Sequence, residues 1–329
     1  MVRRIKKLDR IGEDVRVAAL DMTIPEARYV FKDYMNLQKY QQSTKAHVRQ
    51  LEKESTPNTT MKFIANNTTY IRKYQFSEIF DIWTDKFPEA RWVKSINGLG
   101  PAVAAGLICY CDFDKAHNSS SFWQWAGLTP KSRQITKKAA DKLIVSAMDL
   151  YGDEQLTDDH IKWICTQADY DYASFHKFCR KKGQPYNWNK LYIALVIPKF
   201  SFDFHRVCIM IGNLVIKQKN LYHDLYVYRR AWEEAKNESG EYASRAAAQL
   251  RRYDYKPWKD TYKIYSAGYL PPGHIIARSK RWAVKIFLAH YYSVIYYIRN
   301  GEVPYDAYAL DILKGHRRIL VPNLEKVDV

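Results

Sequence analysis

The chain has 329 residues, 47% of them hydrophobic, with 52 lysines and arginines against 35 acids and a formal net charge of +17. That apolar content can bury a substantial core in two or three compact units and excludes a chain dominated by disorder. The basic residues run from Arg3 to Arg318 rather than sitting in one tail, so the field they make attracts polyanions, nucleic acid first among them.

Met1 to Arg10 is basic, but the apolar run that follows, Val17 to Leu20, is too short for a signal-peptide core. Val15 to Asp21 has the look of a short strand ending in an aspartate, the way RNase-H-like nucleases open. The continuation argues against that reading. Thr23-Ile24-Pro25-Glu26 has the capping-box form and starts a helix where the nuclease fold needs two further strands. Ala27, Val30, Phe31, Tyr34 and Leu37 continue it at three-to-four spacing, and a polar remainder through Leu51 predicts a long, exposed helix. Ser55 to Asn58 ends it. Thr59 to Asn67 is polar and ambiguous, whereas Ile71, Tyr74, Ile79, Phe80 and Trp83 predict a second helix over 70–83.

Residues 89–127 are the most informative. Trp92, Val93 and Ile96 share a helical face, Asn97-Gly98-Leu99-Gly100-Pro101 interrupts it, and an alanine- and leucine-rich helix runs from Ala102 to Cys111. Two glycines around one apolar residue predict a tight turn with positive φ at both, the leucine plugging it from inside and Pro101 opening the next helix. Backbone amides would then face outward beside the positive helix end and make an anion site, for which a DNA phosphate is the expected occupant. The candidate contacts are Lys94, Asn97, Gly98, Leu99, Gly100 and Ala102, joined by Lys131 and Arg133 from the basic stretch downstream.

Asn118 to Ser121 caps a short helix over 122–126 that Gly127 closes. Lys131 to Lys142 reads as a basic linker or DNA-facing loop. Helical spacing returns over Leu143 to Leu150, and Thr157 with Asp158 and Asp159 starts another helix. Lys181 to Pro185 marks a turn. Phe202 to Lys217, Leu221 to Lys236 and Ile275 to Ile298 predict three longer helices, the last with its most apolar stretch, Ile286 to Ile298, only 13 residues long and containing His290, a buried helix rather than a membrane span.

Cys109, Cys111, Cys165, Cys179 and Cys208 form no CxxC pair and no zinc-finger set with histidines, which fits a reducing, cytoplasmic compartment and points to no metal and no other cofactor. Most of the 26 tyrosines are expected to pack helices together, with some left to line a surface. His223, Asp224, Arg229 and Arg230 share a helix and read as a solvated ion-pair face. His274, His290 and His316 stand alone in sequence and read as structural.

Trp92 to Leu107 followed by Phe122 to Pro130 resembles the C-terminal domain of bridge-RNA-guided insertion-sequence transposases, and more closely the stand-alone phage and microbial homologues described as transposase-like. Met22 to Gln42, Leu156 to Ile161, Arg206 to Lys217, Leu221 to Glu234 and Pro271 to Arg281 resemble further segments of those homologues. The resemblance implies a DNA-binding helix-hairpin-helix. Full transposases of that group add an RNase-H-like domain with four metal-binding acids, which this chain lacks, so metal-dependent cleavage does not carry over. Their nucleophilic serine has its nearest positional counterpart in Ser132, in surroundings that do not match.

Together these readings predict an all-α protein, a helical bundle built around a helix-hairpin-helix with long N-terminal and C-terminal helices. Four regions are expected: 1–88 N-terminal, 89–140 DNA-binding, 141–200 an accessory insert and 201–329 a C-terminal domain. The expected function is non-catalytic binding of the DNA phosphate backbone, with no membrane partner. A transposase-derived recombinase or nuclease acting with a partner, and an RNA-associated or structural assembly protein that self-associates, are the other readings the sequence leaves open.

Overall fold

The computed structural model describes residues 11–129, 135, 137–153, 155–168, 172, 187–196, 200–304 and 319–327. The protein is all-α, with no strand among the described residues. No helix among them is long and apolar enough to cross a membrane. The chain divides into two compact units, each gathered from segments distant in sequence: residues 1–122, 206–223 and 286–329 form one, residues 123–205 and 224–285 the other.

In the first unit, Val15 to Asp21 lies in helix α1 (Glu13–Asp21), with Glu13 and Asp14 against the positive helix end. The strand that would open a nuclease domain is therefore absent. Helix α2 (Ile24–Lys53) starts at Thr23, whose Oγ1 accepts the Glu26 amide at 3.4 Å, and Pro25 sits in its first turn, where a missing amide hydrogen costs nothing. The helix expected from Tyr70 begins earlier. Helix α3 (Thr59–Tyr70) includes the ambiguous polar stretch and passes through a π-helical turn, Ile71–Gln75, into α4 (Phe76–Thr84). Hydropathy cannot announce α3, because polar groups hold it to α2: the buried Gln41 pairs with Thr69 and accepts from Arg72 Nε at 2.8 Å.

Helices α5 (Pro88–Ser95) and α6 (Pro101–Tyr110) complete the apolar centre of this unit. Phe31 of α2 lies 5.9 Å from Phe80 of α4, and Trp92 of α5 stacks on Phe287 at 5.6 Å. Gly106 lets α6 come close to its neighbours: a Cβ there would lie 2.8 Å from both Phe31 Cζ and Val207 Cγ2. Fully buried Phe80, Trp83, Trp92 and Phe287 each stabilise this core by about 1.5–3 kcal/mol.

Helix α7 (Ser119–Trp125) follows Asn118, whose Oδ1 accepts the Ser120 amide at 3.0 Å, and ends at Gly127 with φ +68°. In the second unit, α8 (Lys137–Tyr151), α9 (Asp158–Ala168) and α10 (Trp188–Val196) pack around Leu156, Ile161, Ile164, Leu191 and Leu195. Residues 137–142, expected in a loop, form the first turns of α8. Alanines 139 and 140 and Leu143 bring that segment onto the core while its lysines stay on the other side. His160 is fully buried in α9. Its Nδ1 accepts the Thr157 amide at 3.1 Å, so its Nε2 carries the hydrogen and donates to the Gly152 carbonyl at 2.8 Å.

Helices α11 (Phe202–Lys217), α12 (Leu221–Glu238) and α15 (Pro272–Asn300) follow the sequence periodicity and contribute residues to both units. Two short helices between them, α13 (Ala243–Arg252) and α14 (Asp260–Ser266), had no clear signal. They close a small second cluster of Tyr242, Ala246, Tyr265, Leu270 and Ile275.

Candidate nucleic-acid interface

The α5–α6 connection is a tight turn. Ile96 and Leu99 are buried, and the Leu99 amide donates to the Ile96 carbonyl at 3.0 Å, so the leucine side chain plugs the turn from within. Gly98 has φ +85°, which an L-residue resists, and a Cβ there would collide with the Gln218 side chain. Gly100 differs from expectation. It caps α6 at φ −107° and ψ −172°, an extended conformation open to any residue, and a Cβ there would meet nothing within 4 Å. Its lack of a side chain keeps space in front of the turn open; it relieves no backbone strain.

Beyond the turn, Pro101 opens α6, and the Val103 and Ala104 amides fold back onto the Gly100 carbonyl at 2.9 and 3.3 Å. The amides of Gly98, Gly100 and Ala102 have no partner among the described residues. Three unsatisfied donors beside the positive end of a ten-residue helix suit an anion. The other face of the turn is occupied: Asn97 Nδ2 donates to the Lys219 carbonyl at 3.0 Å, and Asn220 Nδ2 donates to the Asn97 carbonyl at 2.7 Å.

Lys94 is drawn toward α4, where its ammonium binds Asp81 at 2.9 Å and also Asp85. Burial works against its charge, yet the two carboxylates raise its pKa above the ordinary lysine value. Its charge is thus compensated within the protein. Lys131, Ser132 and Arg133 lie outside the described residues. Among the described residues, the turn is gathered with residues 218–220, which closeness along the chain does not suggest.

A second polar assembly was missed. Glu233, with only 1% of its side chain exposed, accepts from Arg229 at 2.7 Å, from Arg278 at 2.6 Å and from the Tyr242 hydroxyl at 2.6 Å. Burial opposes the charge on this carboxylate, but Arg278, Tyr242 and Arg229 hold its pKa below the usual range. The expected solvated face on α12 is therefore only partly one: Arg230 pairs with Glu234 in solvent, while Arg229 turns inward. The i, i+4 spacing of Arg229 and Glu233 was visible; the arrival of Arg278 from forty-five residues on was not.

His290 and His274 both sit with tyrosines. Tyr222 shares a 2.9 Å hydrogen bond with His290 Nδ1, whose Nε2 lies 2.9 Å from the Ile319 carbonyl, and burial pushes this histidine's pKa down to about 4. His274 lies 3.0 Å from the Tyr265 hydroxyl; burial, then Arg281, Arg278 and Arg245, lower it to about 4 as well. Both are neutral at pH 7. His316 lies outside the described residues. Cys109, Cys111, Cys165 and Cys208 are free thiols, and no group of three or more His, Cys, Asp or Glu side chains among the described residues is placed to hold a metal ion.

No protein-family model, no curated protein and no solved structure matches this chain.

Proposed function

We propose that this protein binds DNA through its phosphate backbone, with the α5–α6 turn acting as a helix-hairpin-helix, and that it does so without cutting the strand. The observation that carries this reading is the trio of unpartnered amides at Gly98, Gly100 and Ala102, set at the positive end of α6 on a turn fixed by Leu99. The net charge of +17 supplies the long-range attraction. The likeness of residues 92–107 and 122–130 to the C-terminal domain of bridge-RNA-guided transposases supports the same assignment, with the chain as a transposase-like relative.

Two substitutions test the turn without disturbing it. Gly100→Val fits the extended backbone yet places a branched side chain where a phosphate must approach. Ala102→Asp adds a carboxylate in the first turn of α6, which favours the helix and repels phosphate. Both variants should melt like the parent and bind duplex DNA at least tenfold more weakly, Gly100→Val with little change in the slope of log K against log salt, because neutral amides release no counterions. Unchanged affinity in both folded variants would remove the turn from the interface.

A further inference from the structure

In the second unit, the first half of α15 carries His274, Arg278, Arg281 and Lys285 at spacings of four, three and four residues. At about 100° per residue these positions fall within a sector of about 60°, and they extend over about 16 Å of helix. One face of the helix therefore carries three cations in a row, Arg278, Arg281 and Lys285, next to the neutral His274. Arg245 of α13 joins it from the side, because Arg278 and Arg245 both lie against the Tyr242 ring, 4.8 and 5.8 Å from its centroid.

Around Arg229, Arg278, Arg245 and Lys285 the cations outnumber the carboxylates that face them among the described residues. Glu233 serves Arg229 and Arg278 together, so one carboxylate faces two guanidinium groups. The neighbouring carboxylates Glu234 and Glu241 are taken by Arg230 and Lys236. Arg245 and Lys285 meet no carboxylate among the described residues. Lys285 is half-buried, with its ammonium 5.5 Å from the Trp123 ring centroid. Burial, and then the charge of Arg281, lower its pKa. A half-buried lysine next to an arginine is costly in the free protein, and an arriving anion relieves that cost. Aromatic rings accompany the cations: Arg278 and Arg245 lie against Tyr242, and Lys285 against Trp123.

We infer that the stripe Arg278, Arg281 and Lys285, with Arg245 beside it, is a second binding surface for the phosphodiester backbone of nucleic acid, built from side chains and independent of the α5–α6 turn. Arg245, Arg281 and Lys285 contact phosphates, while Glu233 holds Arg278 in line. From Arg278 to Lys285 the stripe runs about 10 Å and faces about three phosphates of one strand, counted along a duplex axis.

The test is fluorescence anisotropy with a fluorescein-labelled oligothymidylate, titrated at several salt concentrations. Arg245→Gln/Arg281→Gln, at two exposed positions, and the same pair with Lys285→Gln are compared with the parent and with Gly100→Val, and folding is checked by circular dichroism melting. The triple variant should bind at least tenfold more weakly, and its salt slope should fall by about two units, at about 0.7 for each contact on a single strand. The double variant should lose about two-thirds of that slope. If both variants melt like the parent and keep its affinity and slope, the stripe is not a binding surface. Loss in these variants with Gly100→Val unaffected would uphold the stripe and remove the turn; the reverse would remove the stripe and leave the turn standing. Should the triple variant fail to fold, the double variant decides alone.

Discussion

Two buried polar groups, one in each unit, are satisfied in opposite ways. In the first, His290 and Tyr222 lie among Phe287 and Tyr291 and stay neutral, joined to each other and to the Ile319 carbonyl. In the second, Glu233 is buried as deeply but ionised, because two guanidinium groups and a phenol hydroxyl replace the water it has lost. The candidate anion sites follow the same division. The α5–α6 turn presents backbone dipoles over an apolar core, and the α15 stripe presents net charge. A neutral buried pair tolerates little charge and a charged cluster little neutralisation, so the His290 and Glu233 sites should fail under different perturbations.

The largest effect is expected at Glu233. Glu233→Ala leaves Arg229 and Arg278 facing each other without a counter-charge and should cost about 3–5 kcal/mol, read from the shift of the denaturation midpoint. A cost below about 1 kcal/mol would mean that solvent already screens the pair, as it does at exposed ion pairs. Acid sharpens the contrast. The His290 pKa falls from 6.5 unfolded to about 4 folded, so the stability it contributes is complete above pH 6.5 and is lost as the pH drops toward 4. That amounts to about 3 kcal/mol. Glu233, whose pKa is depressed, keeps its contribution through that window and loses it only below the ordinary carboxylate range. Melting the parent and His290→Gln from pH 7 to pH 4 should show a steeper fall in the parent, and parallel curves would contradict this account.

Gly106 comes next, because a larger side chain there must displace Phe31 and Val207. Gly106→Val should cost about 1–3 kcal/mol in the first unit. The smallest effect belongs to Lys94 and its two exposed partners. Asp85→Asn should change stability by less than about 1 kcal/mol, since Asp81 still holds the ammonium. If Asp85→Asn also tightened DNA binding, Lys94 would join the interface once released.

Much of the apolar unit was legible in the sequence. Thr23, the three-to-four spacing of α2, the glycine-flanked leucine and the three long helices all report local constraints, which a sequence displays directly. Leu99 is buried as its place between two glycines suggested. The conformation of Gly100 was not readable, because an open approach and a strained backbone both select glycine. Helix α3 escaped because Gln41, Thr69 and Arg72 satisfy one another across elements, and α13 and α14 because they are short and bury little. The Glu233 cluster depends on residues 229, 233, 242 and 278 meeting in space, and no periodicity encodes that meeting.

The π-helical turn at Ile71–Gln75 has a consequence for tolerated lengths of the chain. One extra residue in a turn rotates everything after it by about 100° relative to an uninterrupted helix. Before the turn, Thr69 addresses the polar middle of α2; after it, Phe76 and Phe80 address Tyr34 and Phe31. The single surplus residue acts as a phase shifter between two faces of different chemistry. With the chain at its full length, a regular α-helix through 71–75 would turn Phe76 and Phe80 away from Tyr34 and Phe31, whereas deleting Lys73 removes the surplus residue and the irregular turn together and leaves the aromatic side in place.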